Sequence, residues 1–179
     1  MDPLEIIKKY YNPESKAYNI LVRHSMDVTS MALRIARQHP ELHADSQFIA
    51  EAAMLHDIGM FLTDAPGIDC HGTEPYIRHG YLGAELLRHE GMAQHAKVCE
   101  RHTGSGLTKK MIKDRKIDLP EGIYTPQSIE EKIICYADKF YSKSNLEKVK
   151  TADKIRISMK KYGDEAVRRF EELDKMFGG

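Results

Sequence analysis

The 179-residue chain contains nine histidines, and four of them fall where chemistry can be read from their spacing. His24 lies four residues after Ile20 and four before Val28, on an apolar stripe that continues through Met31 and Ile35. On a helix that spacing turns the imidazole toward the core. The same argument turns His102 inward with Val98 and Cys99, and His79 with Leu82 and Leu86. Asp138 follows Ile134 by four residues and precedes Tyr141 by three in an otherwise hydrophobic stretch, where an unpaired carboxylate is costly. His56 and Asp57 close the apolar run Ala52-Ala53-Met54-Leu55, just before Ile58-Gly59. A single inward histidine is usually a hydrogen-bonded core residue. Six inward polar residues on five helices are harder to explain that way. Imidazoles and carboxylates together are the donor set of divalent first-row transition metals, and a cation offsets both buried charges.

The elements that must position these groups are helices, because apolar residues recur at three and four and sustained alternation is absent. Asp2, Pro3 and Glu5 start a short helix over Leu4 to Tyr11, and a long one runs from about Glu14 to Gln38, ended by Pro40. Asp45 caps a third that reaches His56. The stretch from Phe61 to Ile77, with two prolines and two glycines, reads as a loop, and loops of this length are usually functional. Helices follow over His79 to Glu90, Met92 to His102 and near Thr108 to Arg115, the last after the turn Gly104-Ser105-Gly106. Ser128 and Glu131 form a capping-box pattern for a helix to about Lys143, and Leu146 to Phe177 reads as two charged amphipathic helices joined at Gly163. The expected fold is all-α: a single-domain bundle of about seven to nine helices, residues 1–144 holding the site and 145–179 forming a helical extension packed on the same domain.

Twenty-seven basic and 27 acidic side chains cancel, which argues against generic nucleic-acid binding, and no apolar run approaches the ~20 residues of a membrane span. Three widely spaced cysteines and no basic-apolar leader point to the reducing cytoplasm. Residues 139–161 carry eight basic and two acidic side chains. They could offer a positive strip to an anion, and are read here as a solvated helix face.

The pair in Leu55-His56-Asp57-Ile58-Gly59, with Arg23-His24-Ser25 upstream and Tyr136-Ala137-Asp138 downstream, resembles the HD superfamily of metal-dependent phosphohydrolases, specifically its HDIG subgroup. The likeness covers about Val22 to Tyr141. His79 in His79-Gly80-Tyr81-Leu82-Gly83 and His102 in Glu100-Arg101-His102-Thr103-Gly104 match the extra ligands of the binuclear branch. The surrounding segments are similar to bacterial HD hydrolases that split diadenosine tetraphosphate symmetrically, and to small archaeal HDIG proteins of unassigned substrate.

The resemblance implies that His24, His56, Asp57 and Asp138 hold one metal and Asp57, His79 and His102 the other, with Asp57 the bridging, catalytic residue. The cofactor would be two divalent transition-metal ions, iron or manganese first, with zinc, nickel or cobalt also accepted by such donors. A hydroxide bridging them would cleave a phosphoester or phosphoanhydride of a small phosphorylated substrate, a nucleotide and specifically a dinucleoside polyphosphate. No GxSxG elbow or P-loop pattern competes with this.

Substrate phosphates need cationic donors, and the candidates by proximity in sequence are Arg23, Arg78, Arg101, Lys109 and Lys110. The glycine turn could add backbone amides, although a helix C-cap explains it equally well. His39, His43, His89 and His95 match no motif, and His71 is read as an exposed loop residue. Many HDIG enzymes carry a basic residue after the glycine, where this chain has Met60, so phosphate charge must be met elsewhere. Two other readings share the ligand order: a di-iron oxygenase, and a non-catalytic nucleotide-sensing module.

Overall fold

Six of the helices begin where a short polar side chain takes an unpaired backbone N–H. A computed structural model describes residues 1–178. Helix α1 (Pro3–Lys8) is capped by Asp2, α2 (Lys16–Gln38) by Ser15, and α3 (Ser46–Leu55) by Asp45. Helices α4 (His79–His89) and α5 (Ala93–Arg101) are separated by Gly91 at φ +77°. Thr108 caps α6 (Lys109–Asp114), Ser128 caps α7 (Ile129–Asp138) and Thr151 caps α8 (Ala152–Met159). After a 3-10 turn at Lys160–Tyr162, α9 (Asp164–Phe177) completes the chain. The all-α expectation holds, with nine α-helices among the described residues.

Three local expectations need correction. The 61–77 stretch is ordered by a small antiparallel pair, β1 (Asp64–Ala65) with β2 (Cys70–His71), flanked by 3-10 turns at Ile58–Leu62, Pro66–Ile68 and Tyr76–Arg78. Helix α7 stops at Asp138, five residues short of Lys143. Ser142 and Ser144 bond to one another there, and Ser144 N–H donates to the Ser142 hydroxyl, a competition that small polar side chains offer to helical backbone. The capping box is half-made: Ser128 Oγ accepts from Glu131 N–H, but the Glu131 carboxylate accepts instead from Gln127 N–H at 2.8 Å.

The core is in two apolar clusters. One gathers the first half of α2 with α1, α4 and α5 around Leu21, Leu55 and Leu87. The other gathers the second half of α2 with α7, α8 and α9 around Val28, Ile134 and Phe170. Tyr136 on α7 meets Phe170 and Phe177 of α9 at ring-centroid distances of 5.8 and 5.6 Å. His24 sits on α2 between Leu21 and Val28, so it marks the junction of the two clusters.

Close backbone contact brings the remaining elements to that junction. A Cβ on Gly59 would lie 2.3 Å from Gly83 N and 2.4 Å from His79 O, and one on Gly80 would lie 2.5 Å from Cys99 O. Glycine at these places lets α4 touch both the turn after Asp57 and α5. Gly59→Ala is therefore expected to destabilise the fold by about 3 kcal/mol, or a Tm lower by roughly 6–12 °C. Thermal unfolding by circular dichroism checks this; an unchanged Tm would show that the turn yields freely.

Candidate metal centre

All six predicted side chains converge. Asp57 is fully buried at the end of α3, between two groups of imidazoles. Its Oδ2 lies 3.2 Å from His24 Nε2 and 3.1 Å from His56 Nε2. Its Oδ1 lies 3.2 Å from both His79 Nε2 and His102 Nε2. Asp138 Oδ1 closes the first group at 2.9 Å from His24 Nε2 and 3.3 Å from His56 Nε2. The result is two sets of donor atoms, His24–His56–Asp57–Asp138 and Asp57–His79–His102, sharing Asp57.

The protonation pattern tests whether cations fit. The Nδ1–H groups of His56, His79 and His102 each donate to a carbonyl three residues earlier: Ala53 at 2.7 Å, Tyr76 at 2.7 Å and Cys99 at 2.6 Å. Such bonds orient each ring with Nε2 inward, and in the neutral imidazole they leave the lone pair on that nitrogen. His79 Nε2 and His102 Nε2 then face one another at 3.1 Å, and the buried Asp57 Oδ1 beside them accepts no hydrogen bond. Lone pairs converging without a donor are unfavourable unless a cation lies among them. The spacings suit one: two donors about 2.1 Å from an ion and at right angles are ~3.0 Å apart.

Charge points the same way. Burial raises the Asp57 carboxyl's pKa, but His56 and Lys143 outweigh it and hold the group well below the ordinary carboxylate range. Burial likewise works against charge on His56, yet Asp57 and Asp138 pull its pKa up to about 10. The carboxylates thus attract a positive charge into the cluster. His102, where burial dominates, is pushed down to about 4 and stays a neutral donor.

A cleft of about 230 Å3 opens onto this cluster, with His79, His102 and Asp138 on its wall. Its cations are Lys139, Lys143, Lys150 and Lys161. Lys143 Nζ donates to Asp57 Oδ2 at 2.6 Å and Lys139 to Asp138. These four come from the basic run that the sequence reading placed on a solvated face. The signal was its eight-to-two excess of positive charge immediately after Asp138.

None of the five cations chosen by sequence proximity lines the cleft. Arg23 is half-exposed and pairs with Asp27 and Glu147. Arg78 is held by Glu74 and Asp118, over the Tyr81 ring. Lys109 faces a separate groove, and Lys110 pairs with Asp114. Arg101 donates to both Glu131 oxygens at 3.2 Å. On a helix the neighbour of an inward residue points about 100° away, which is why adjacency misleads. Arg101→Ala should accordingly cost about 3 kcal/mol of stability, because it strands a nearly buried carboxylate, and leave substrate KM unchanged. Urea unfolding beside steady-state kinetics separates the two effects.

Other positions agree with their expected roles. Met60 is buried in the core, and His71 is exposed, paired with Asp69. His39 and His95 are occupied by Glu41 and Glu51. Gly104 lines the cleft in the left-handed region at φ +58°, while Ser105 ties the turn to Ala166 C=O. From the 61–77 stretch Tyr76 reaches the centre, stacking on His79 with centroids 4.4 Å apart.

Comparison with known proteins identifies the class. Residues 21–142 match the HD domain family model, and the chain belongs to that family. It is 34% identical over 127 residues to the tRNA (cytidine(56)-2'-O)-methyltransferase of Picrophilus torridus, covering 70% of this chain and 33% of that protein. To the protein of the same name in Thermoplasma volcanium it is 30% identical over 174 residues, 96% of this chain and 44% of that one. An uncharacterised protein of Methanocaldococcus jannaschii is 35% identical over 121 residues, 66% of this chain and 64% of its own length. The chain thus spans less than two thirds of each of these relatives. Among solved structures the HD domain of the L. monocytogenes phosphodiesterase PgpH shares the fold, with a TM-score of 0.55 and 20% identity over 98% of this chain and 95% of that one. The same domain in complex with cyclic-di-AMP matches with a TM-score of 0.54. No helix among the described residues is long and apolar enough to cross a membrane.

Proposed function

We propose that the chain is a metal-dependent phosphohydrolase of the HDIG subgroup that cleaves a phosphoester or phosphoanhydride bond of a nucleotide. The observation that carries this reading is the shared Asp57, with two pairs of inward-facing imidazole Nε2 atoms on its two oxygens. Divalent cations held there supply an acidified water at neutral pH and neutralise charge on the phosphoryl oxygens. In hydrolysis one phosphorus–oxygen bond forms to water, another breaks, and the leaving oxygen departs with the bonding pair and takes up a proton. Asp57 and Asp138 supply the negative charge of the site, Tyr76 fixes the His79 ring by stacking and by its carbonyl, and the lysines orient the anionic substrate.

The lysine-rich wall favours a phosphorylated substrate over the neutral organic molecule an oxygenase would oxidise. The nucleotide bound in the PgpH complex supports a nucleotide ligand by likeness of fold, and the resemblance to symmetrical diadenosine tetraphosphate hydrolases supports a dinucleoside polyphosphate. The methyltransferases named above are more than twice the length of the segments matched here. We infer that methyl transfer belongs to the part of them that this chain does not span.

The test is metal analysis of protein purified without chelator, then a screen of mono-, di- and cyclic nucleotides under anaerobic ferrous and aerobic manganese conditions. Metal in the preparation and release of phosphate or nucleotide are expected. No product under any metal, or oxygen uptake with an organic substrate instead, overturns the reading.

A further inference from the structure

Two cations in the cleft are left unused by the metal cluster. Lys139 and Lys143 are paired with Asp138 and Asp57, whereas Lys150 and Lys161 form no ion pair among the described residues. Both are positioned by backbone. Lys150 N–H donates to Phe140 C=O at 2.8 Å beside the Tyr141–Val149 bridge, so the chain returns next to Lys139 after its excursion through 142–148. Lys161 sits in the turn between α8 and α9, its Nζ 4.9 Å from the Tyr162 ring centroid and its C=O bonded to Arg115. Burial and then the like charges of Lys139, Lys143 and Lys161 lower the Lys150 pKa. Four ammonium groups around one cavity repel one another, and an anion there relieves the repulsion.

Counting charge shows how large that anion is. Two divalent cations against Asp57 and Asp138 leave a surplus that one phosphoryl group, with about two negative charges, balances. Lys150 and Lys161, which no carboxylate meets, then remain, and a single phosphate at the cluster cannot meet them as well. Tyr76, Tyr141, Lys143 and Lys150 also wall a second cavity of about 350 Å3, whose other residues include Ala65 and Ile68. That mixed apolar surface suits an organic group attached to the phosphates.

We infer that the substrate carries at least two consecutive phosphoryl groups, the one to be cleaved against the His/Asp cluster and the next held by Lys150 and Lys161. The size of the anion and the position of the cleaved group rest on the hydrolase reading; the anion subsite formed by Lys150 and Lys161 does not. Lys150 and Lys161 thereby set specificity between polyphosphate and monophosphate substrates.

Calorimetry with chelator present tests the subsite apart from metal and turnover, using orthophosphate, inorganic tripolyphosphate and a nucleoside triphosphate as probes. Both triphosphates are expected to bind at least about tenfold more tightly than orthophosphate, and Lys150→Gln with Lys161→Gln to remove that preference. A tighter nucleoside triphosphate identifies the organic part as recognised, and equal affinities identify the phosphate chain alone as the ligand. In the metal-loaded protein the double variant should raise KM for a triphosphate about tenfold, with metal content unchanged. Equal binding of orthophosphate and tripolyphosphate by the unaltered protein, or a double variant that weakens both alike, overturns the inference. A preference for tripolyphosphate without hydrolysis of any nucleotide leaves the subsite standing and removes the hydrolase reading. Hydrolysis with monophosphates as good as triphosphates does the reverse.

Discussion

Asp57→Ala is expected to lower phosphohydrolase turnover by roughly a thousandfold or more, the scale of losing several kcal/mol of charge stabilisation in the transition state. The magnitude follows from the position of this one carboxylate. Its two oxygens serve different histidine pairs, so its loss removes a donor from both groups at once. It also leaves the partly buried Lys143 ammonium without its 2.6 Å partner. Metal analysis should show less than about half the metal of the unaltered protein, since one group falls from four donors to three and the other from three to two. Asp57→Asn keeps the shape and serves as the control for folding: it should unfold cooperatively and still lack activity. Turnover within about tenfold of the unaltered protein in both variants would sink the role of Asp57.

Removing metal should act on stability as strongly, and in a pH-dependent way. A ligand present at a thousand times its Kd adds about 4 kcal/mol, so chelation should lower Tm by roughly 10 °C for a chain of this length. The sign of the pH dependence follows from the cluster. In the metal-free protein the His56 pKa is about 10 against an ordinary 6.5, so its contribution is complete below about 6.5 and disappears as pH rises toward 10. Asp57 and Asp138 are held well below 3.8, so theirs is present above that value and lost as pH falls through the depressed range. His102, pushed by burial to about 4 from 6.5, takes a proton in the unfolded chain before it does in the native one. Stability therefore rises with pH across that window. The metal-free protein should be most stable near pH 6.5 and weaken on either side. Cation binding must displace the His56 proton, so metal affinity climbs over the same range in which metal-free stability declines. Melting curves with and without chelator at about pH 5, 6.5, 8 and 9 should diverge as pH rises. A chelator effect that is the same at every pH would mean that no proton competes with the cation at His56.

The separate behaviour of the ligands and the lysines shows what can be read locally. His24, His79, His102 and Asp138 are each marked by apolar neighbours three or four residues away, and burying those neighbours requires the polar group to follow. The caps Asp2, Asp45 and Ser128 are equally local, because a capping side chain reaches backbone only two or three residues on. The all-α architecture and the inward turn of these polar side chains are accordingly legible from residue order, whereas the expectation that six of them share one site came from the resemblance.

The cleft was not. Lys139, Lys143 and Lys150 lie just beyond the end of α7, and Lys161 lies in a turn, so no period assigns them a face. Their direction depends on the Tyr141–Val149 bridge and on the packing of α9 against Tyr136 of α7. The arginines are placed for the same reason: Arg101 and Arg78 pair with Glu131 and Asp118, 30 and 40 residues away in sequence. Sequence alone determined which side chains must enter the core, because helical periodicity and the cost of burial act over a few residues. Tertiary structure alone decided which cations face the cluster, because electrostatic partnership depends on distance through space, and that distance exists only once the helices have packed.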